Sequence, residues 1–116
     1  MAFVSATDPG RTREFYGDRL DLPLIEETEF ACVFRTPQAT LRVTIVDEAV
    51  GVPYTVLGWV VTDIAQTVRG LLDRGVEFVR YESMDQDELG VWSAPGGAQV
   101  AWFKDPDGNT LSVTQS

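Results

Sequence analysis

The sequence feature that most constrains the fold is a short pattern that occurs twice. An apolar, strand-like run from Phe3 ends in Thr-Asp at Asp8, and a similar run from Gly58 ends in Thr-Asp at Asp63. Each aspartate can accept hydrogen bonds from the free backbone N–H groups of a helix that begins just after it. A duplicated strand–cap–helix step predicts a chain built from two copies of one unit.

The stretch after each aspartate has an apolar stripe at helical spacing. The stretch after Asp63 is followed by Gly75, a residue typical of the left-handed position that ends a helix. The stretch after Asp8 begins with Pro9, which suits the first helical position because an N–H there would have no partner. Gly17 interrupts its stripe and lowers helix propensity by roughly 1 kcal/mol relative to alanine. We predict two helices, the first one weaker, with stripes of Thr12, Phe15, Tyr16 and Leu20 in the first and Ile64, Val68, Leu71 and Leu72 in the second.

Three further strand-like runs follow each helix, separated by turn residues as in an antiparallel meander. The turn at Ala94–Gly97 leaves open whether Gly90–Phe103 is a single hairpin, which would shift the later strands by one element. The sequence predicts one α+β domain over 1–116 with two tandem βαβββ modules, 1–47 and 54–116, joined by a linker at Asp47–Pro53. The predicted runs are Leu24–Glu27, Ala31–Arg35 and Leu41–Val46 in the first module, and Val76–Tyr81, Gly90–Ser93, Val100–Phe103 and Thr110–Thr114 in the second.

The balance of charge excludes one class of partner. The chain of 116 residues has 9 basic and 18 acidic side chains and a formal net charge of −9. Nucleic-acid binding is not expected, because phosphate recognition needs a basic surface. Acidic side chains concentrate at Glu26–Glu29 and Glu82–Glu88. These stretches either attract a cationic ligand or only keep the surface hydrated.

Targeting segments and reactive cysteines are not expected either. No apolar run approaches the roughly 18 residues that span a membrane, and Met1–Ser5 lacks the basic flank of a signal peptide. The single cysteine, Cys32, has no partner for an internal disulfide, and the chain has no histidine that would activate it as a nucleophile. We expect a cytoplasmic protein in a reducing compartment. Lys104 is the only lysine beside eight arginines, which is typical of a GC-rich bacterial genome.

Four motifs, in order along the chain, resemble the vicinal-oxygen-chelate superfamily of glyoxalases, bleomycin-resistance proteins and extradiol dioxygenases. They are Phe15-Tyr16, Leu20–Pro23, the Thr62-Asp63 step and Trp102–Asn109. The resemblance implies eight strands in an open, U-shaped mixed sheet around a cavity, with the helices outside. It also implies that two chains pair as a homodimer.

Metal-dependent members of this superfamily place ligands at four equivalent strand positions. The resemblance puts these positions at Met1, Arg42, Val56 and Ser112. None of these side chains is an imidazole, a thiolate or a carboxylate, the donors that bind zinc, iron or manganese. We therefore expect no metal and no other cofactor, which argues against the glyoxalase, dioxygenase and fosfomycin-opening activities. An all-carboxylate site elsewhere stays open as an alternative.

Side-chain alternation along the strands predicts what lines the cavity. Trp59 has the opposite parity to Gly58 and is expected in the core under the second helix. Aromatic rings beside hydroxyls, a guanidinium and an ammonium suit a flat, partly polar ligand. Alternatively, the arginine and the lysine reach solvent at the cavity mouth and the rings only fill space. The predicted ligand-binding residues are Phe3, Ser5, Arg42, Val56, Trp92, Trp102, Lys104 and Ser112.

Two functions follow from this pattern. The first is a metal-free small-molecule-binding protein of the glyoxalase/bleomycin-resistance type, which sequesters a drug or metabolite in grooves shared by two chains. The second is a glyoxalase-like lyase or dioxygenase-like enzyme acting on a small carbonyl or aromatic metabolite. It would need an acid or base in the cavity, for which the sequence offers only distant candidates such as Glu77, Tyr81 or Glu82, and the sequence assigns no catalytic residue. The fold alone does not choose between ligands.

Overall fold

The structure is a computed structural model that describes residues 2–47, 55–82 and 84–115; the predicted linker beyond Asp47 lies outside these ranges. In each half a strand precedes a helix and three strands follow it. The first helix starts as α1 and continues without a break as a π-helical stretch. The elements are β1 (Ala2–Ala6), α1 (Pro9–Thr12) with its π-helical stretch (Arg13–Arg19), β2 (Leu24–Glu27), β3 (Ala31–Arg35), β4 (Thr40–Ile45), β5 (Thr55–Val60), α2 (Ile64–Asp73), β6 (Trp92–Ser93), β7 (Gln99–Lys104) and β8 (Thr110–Gln115).

The strands form two four-stranded mixed sheets of identical order. The first sheet runs β1-β4-β3-β2 and the second runs β5-β8-β7-β6. In each sheet the first and last strands of the module pair in parallel, and the other neighbours are antiparallel. The predicted α+β class and the two βαβββ modules are therefore confirmed.

The predicted eight strands are divided between these two sheets and do not form one continuous sheet. β1 and β5 lie side by side, but no ladder of backbone hydrogen bonds joins them in the described strands. Part of the β5 edge is bound instead by a side chain, since the Val60 N–H donates to Gln38 Oε1 at 3.0 Å. Each module thus keeps its own sheet.

Both predicted aspartate caps are present. Asp8 Oδ1 accepts from the N–H groups of Gly10 at 2.8 Å and Arg11 at 3.2 Å, and Asp63 Oδ1 accepts from that of Gln66 at 3.1 Å. These bonds satisfy N–H groups that have no partner inside the helix. Gly75 has a φ of 86°, so the left-handed end predicted for the second helix is confirmed.

The first helix differs from the expectation because its second part is π-helical. The Leu20 N–H donates to Phe15 O at 3.0 Å, a bond over five positions that replaces the α-helical bond over four. Gly17, the weak point of the predicted stripe, lies inside this stretch. The wider turn buries both Phe15 and Tyr16, whose rings meet edge to face at 5.1 Å.

The helix-facing sides of the two sheets share one core. Tyr16 packs on Phe34 of the first sheet at 5.4 Å between ring centroids, while Phe15 lies 6.5 Å from Phe103 of the second sheet. Trp59 meets Phe103 edge to face at 6.0 Å and is only 8% exposed. The core position predicted for Trp59 is confirmed.

A buried polar network ties the modules together at the turn from Asp105 to Asn109. The Tyr16 hydroxyl donates to Asp105 Oδ2 at 2.5 Å, and Asn109 Nδ2 donates to the same oxygen at 2.9 Å and to Ser5 O at 3.0 Å. Burial, followed by the neighbouring Asp105 charge, raises the pKa of Tyr16 well above its usual value. This turn, one of the four family-like motifs, therefore has a clear structural role.

The segment after α2 does not form the strand predicted at Val76–Tyr81. Within it, one isolated bridge joins Phe78 to Phe103 of β7. The Gln86 side chain takes backbone groups that a ladder would use: it accepts from the Tyr81 N–H at 2.7 Å and donates to Val79 O at 3.1 Å. The short strand β6 pairs with β7 instead. The two form a hairpin around Ala94–Gly97, the alternative that the sequence left open.

Candidate functional site

Each sheet has one face covered by a helix and one opposite face, which we call the open face. In the first sheet Val4, Leu41 and Val43 point to the helix side and belong to the core. Alternation then puts Phe3 and Arg42 on the open face. The same parity in the second sheet puts Phe103 on the helix side and its neighbours along β7 on the open face.

The open face of the first sheet combines an apolar ring with an arginine. Phe3 of β1 pairs directly with Arg42 of β4, and Ser5 pairs with Thr44 in the next row. Phe3 is 63% exposed, and Arg42 is half-buried. Among the described residues, no acidic side chain pairs with Arg42. Its guanidinium therefore has no ion-pair partner among the described residues.

On the open face of the second sheet, Ser112 lies between Gly58 and Trp102. A Cβ atom at Gly58 would overlap the Ser112 hydroxyl, so glycine at this position leaves room for the serine side chain. Ser112 is buried. It forms the floor beside the Trp102 ring.

Three aromatic rings meet at Trp102, next to Ser112, and we call them the ring cluster: Tyr81, Trp92 and Trp102. Tyr81 meets Trp102 edge to face at 5.4 Å, and Trp92 lies 6.1 Å from Trp102 at an angle of 34°. All three rings are half-buried. Of the predicted residues, the structure therefore brings Trp92, Trp102 and Ser112 together. Tyr81 was not predicted from side-chain alternation, because it ends an irregular segment in which side chains do not alternate between two faces.

The other predicted residues lie elsewhere. Val56 falls at a register shift between Thr55 and Leu57, which interrupts alternation, and it packs against the edge of the core. The Lys104 ammonium donates to Thr110 Oγ1 at 2.5 Å and to Gly108 O at 3.5 Å. Phe3, Ser5 and Arg42 belong to the first sheet, whereas Trp92 and Trp102 belong to the second.

Three clefts in the described part of the chain have volumes of about 340, 410 and 290 Å³. Of the eight predicted residues, only Lys104 lines one of them, the first cleft. Phe3, Arg42, Trp102 and Ser112 on the open faces line none of these three clefts.

The four positions of the expected metal ligands do not fit a divalent metal. Arg42 is itself a cation, Val56 has no donor atom, and Ser112 offers one neutral hydroxyl; Met1 lies outside the described residues. Across the described ranges, no group of three or more histidine, cysteine, aspartate or glutamate side chains is placed to hold a metal ion. The donor chemistry at these positions therefore does not support metal-assisted steps.

Groups capable of acid–base or nucleophilic chemistry are dispersed. Tyr81 belongs to the ring cluster, Glu77 lines the first cleft and Glu82 is exposed. Cys32 is fully buried, and this burial raises the pKa of its thiol. A protonated, inaccessible thiol is unsuited to attack a substrate.

Two βαβββ modules with a common core and helix-free open faces define the class of fold to which the chain belongs. A family model described as Glyoxalase/Bleomycin resistance protein/Dioxygenase superfamily matches residues 2–113. The chain belongs to this superfamily, as its motifs predicted.

Solved structures share this fold at low sequence identity. A glyoxalase family protein from Bacillus anthracis has a TM-score of 0.78 at 16% identity, covering 98% of this chain and 90% of that one. A superfamily member from Sphaerobacter thermophilus DSM 20745 has a TM-score of 0.72 at 22% identity, with coverages of 99% and 94%. A bleomycin-binding protein complexed with bleomycin has a TM-score of 0.73 at 16% identity, with coverages of 98% and 94%.

Among curated proteins, none has a sequence that matches the chain significantly. In the described residues, no helix has the length and apolar character needed to cross a membrane.

Proposed function

We propose that this protein binds a small organic molecule through the open faces of its sheets, without a metal ion, and that the ligand has a flat aromatic or heteroaromatic part. The observation that carries the proposal is the ring cluster of Tyr81, Trp92 and Trp102 beside Ser112. Half-buried indole rings offer a large apolar surface at little entropic cost, and their edges leave room for polar contacts.

A polar end of the ligand would meet the first sheet. Arg42 has no acidic partner among the described residues, and the exposed ring of Phe3 lies opposite it. A guanidinium in this state suits an electronegative group of the ligand. Lys104 is a weaker candidate, because its ammonium is already bound by Thr110 and Gly108.

A second copy of the chain would complete the groove. Phe3 and Val60 are large apolar side chains that remain 63% and 49% exposed, and both belong to open-face positions. A homodimer that covers these side chains would enclose a ligand against the rings. We expect a dimer in sedimentation experiments at micromolar concentration, acting in the reducing cytosol; a monomer would contradict this arrangement.

Bleomycin is a suitable first probe, because a fold neighbour was solved with it. Saturation-transfer NMR with bleomycin and a panel of heteroaromatic fragments, in chelator-treated solution, measures whether any of them binds. For a compound that binds, Trp102→Ala is expected to weaken affinity by at least about tenfold, or 1.4 kcal/mol.

The matched control is Phe30→Ala, which removes an exposed ring at the β2–β3 turn, outside the ring cluster. Its affinity should equal that of the native protein. Retention of full affinity by both Trp102→Ala and Trp92→Ala would contradict the proposed site.

A further inference from the structure

The two open faces differ at one equivalent position of their first strands. Phe3 of β1 pairs with Arg42 of β4, and Gly58 of β5 pairs with Ser112 of β8. Phe3 and Gly58 lie at the same distance before the capping aspartate of their own module. Where the first sheet carries an exposed ring, the second sheet therefore carries no side chain. We call this place the Gly58 gap.

The Ser112 hydroxyl is directed into the Gly58 gap. A Cβ atom at Gly58 would overlap Ser112 Oγ, whereas it would lie 3.6 Å from Ser112 Cβ. Ser112 is only 7% exposed, and its hydroxyl makes no hydrogen bond to any described residue. Every fully covered side-chain oxygen or nitrogen of the described residues has a hydrogen-bond partner. Ser112 Oγ is therefore accessible from the open face and has a donor and lone pairs to offer.

Trp102 stands on the other side of Ser112. The rings of Tyr81 and Trp92 contact it from the side of β7 away from β8, where Val79 N–H also donates to Trp102 O at 2.8 Å. On the β8 side the row continues with the small Ser112 and then the gap. Strand side chains stand roughly perpendicular to their sheet. A flat ring stacked on this side of Trp102 would therefore stand with its edge over Ser112.

A charge on the same face favours an acceptor atom at that edge. Lys104 follows Trp102 by two positions along β7, so the two share the open face at a spacing of about 7 Å. Its ammonium is bonded by Thr110 Oγ1 at 2.5 Å, next to the row of Ser112. A positive charge at this distance favours a neutral lone pair at Ser112 over a protonated ring atom.

We propose that the ligand is a heteroaromatic compound with a neutral hydrogen-bond acceptor in the plane of its ring, and that the Ser112 hydroxyl donates to this acceptor. The ring face lies on Trp102, and the ring edge meets Ser112 at the Gly58 gap. This inference rests on the ring-binding function proposed above and adds an orientation and a chemical requirement to it. A ring of the same shape without the acceptor leaves the hydroxyl without a partner.

The probes are quinoline, which has such an acceptor, and naphthalene, which has the same shape without it. Titration of protein into submillimolar ligand at neutral pH, followed by ligand-detected NMR, gives both affinities. We expect Ser112→Ala to weaken quinoline binding by about fivefold and to leave naphthalene binding unchanged. Ser93→Ala is the control, because this exposed serine of β6 alternates to the face opposite Trp92; it should change neither affinity.

Thermal melts test the direction of the hydroxyl without any ligand. Gly58 does not have a positive φ, so alanine suits its backbone, and only the Ser112 hydroxyl is overlapped. Gly58→Ala should lower the melting temperature and weaken quinoline binding, and adding Ser112→Ala should recover most of the lost stability. Additive losses in the double variant, or a Gly58→Ala variant that melts and binds quinoline like the native protein, would overturn the proposal.

The binding data separate this inference from the function on which it rests. If both compounds bind and lose affinity with Trp102→Ala, but Ser112→Ala changes both affinities equally, the acceptor requirement is wrong and the ring-binding function stands. If neither compound binds, the inference is overturned, and the function is then decided by bleomycin and the wider fragment panel.

Discussion

The two modules have the same strand order but differ in the segment that follows the helix. In the first module, Leu24–Glu27 is an edge strand paired with β3. In the second, Val76–Tyr81 makes one bridge to β7, and the Gln86 side chain binds its backbone groups. Because Val76–Tyr81 is not a regular strand, Tyr81 does not follow strand alternation, and its ring packs against Trp102. One unit, used twice, thus yields an open face with an arginine and an open face with three rings.

The largest expected effect is a difference in stability loss between a substitution on the helix side and one on the open face of the second module. Trp59→Ala empties a core position beside Phe103 and should destabilise the protein by about 3–5 kcal/mol. Trp102→Ala truncates a half-buried ring on the other face and should cost less than about 2 kcal/mol. Urea unfolding of both variants gives these free energies.

The reverse order would change the interpretation of the faces. If Trp102→Ala unfolds the protein while Trp59→Ala spares the fold and abolishes ligand binding, the assignment of the two faces of the second sheet is inverted. The open-face residues would then have to be redefined.

A smaller effect tests the contact between the modules. Tyr16→Phe removes the hydroxyl that donates to the buried Asp105, so it should destabilise the protein by about 1–3 kcal/mol. Since the folded-state pKa of Tyr16 is raised, its contribution to stability is complete below the ordinary tyrosine pKa of about 10 and is lost as the pH rises above it.

Denaturant unfolding between about pH 8 and pH 11 checks this sign. The native protein should lose more stability over this range than Tyr16→Phe, which has no phenol to ionise in that place. Tyr81→Phe is the control, because the Tyr81 hydroxyl has no hydrogen bond to the described residues; its pH dependence should follow that of the native protein. Identical curves for the native protein and Tyr16→Phe would refute the role of the network.

The parts of this comparison that were predictable from the sequence are those set by local chemistry. The runs predicted at Leu24–Glu27 and Ala31–Arg35 coincide with β2 and β3, because turn residues separate these strand-like runs. The caps at Asp8 and Asp63 follow from the side chain alone. Such features depend on neighbours within a few positions.

The remaining features depend on contacts between distant residues. The π-helical turn results from burying both Phe15 and Tyr16 against two sheets, which an apolar stripe does not encode. Tyr81 reaches Trp102 because Gln86 binds the backbone around it. Val56 does not lie on its predicted face because of a register shift between Thr55 and Leu57, which sequence patterns do not locate. Each of these required the tertiary structure.

The smallest expected effect concerns a metal shared by the two modules. A metal at the family positions would join Arg42 of the first module to Val56 and Ser112 of the second, and removing it would destabilise both. With a cation, a hydrocarbon and a single hydroxyl at those positions, we expect no such link. Mass spectrometry of protein purified without a histidine tag should find no stoichiometric zinc, iron, nickel or manganese, and chelator treatment should leave the melting temperature unchanged. A bound metal at unit stoichiometry, or a melting temperature that falls with chelator, would mean that the modules share a centre built from other residues, such as carboxylates outside these four positions.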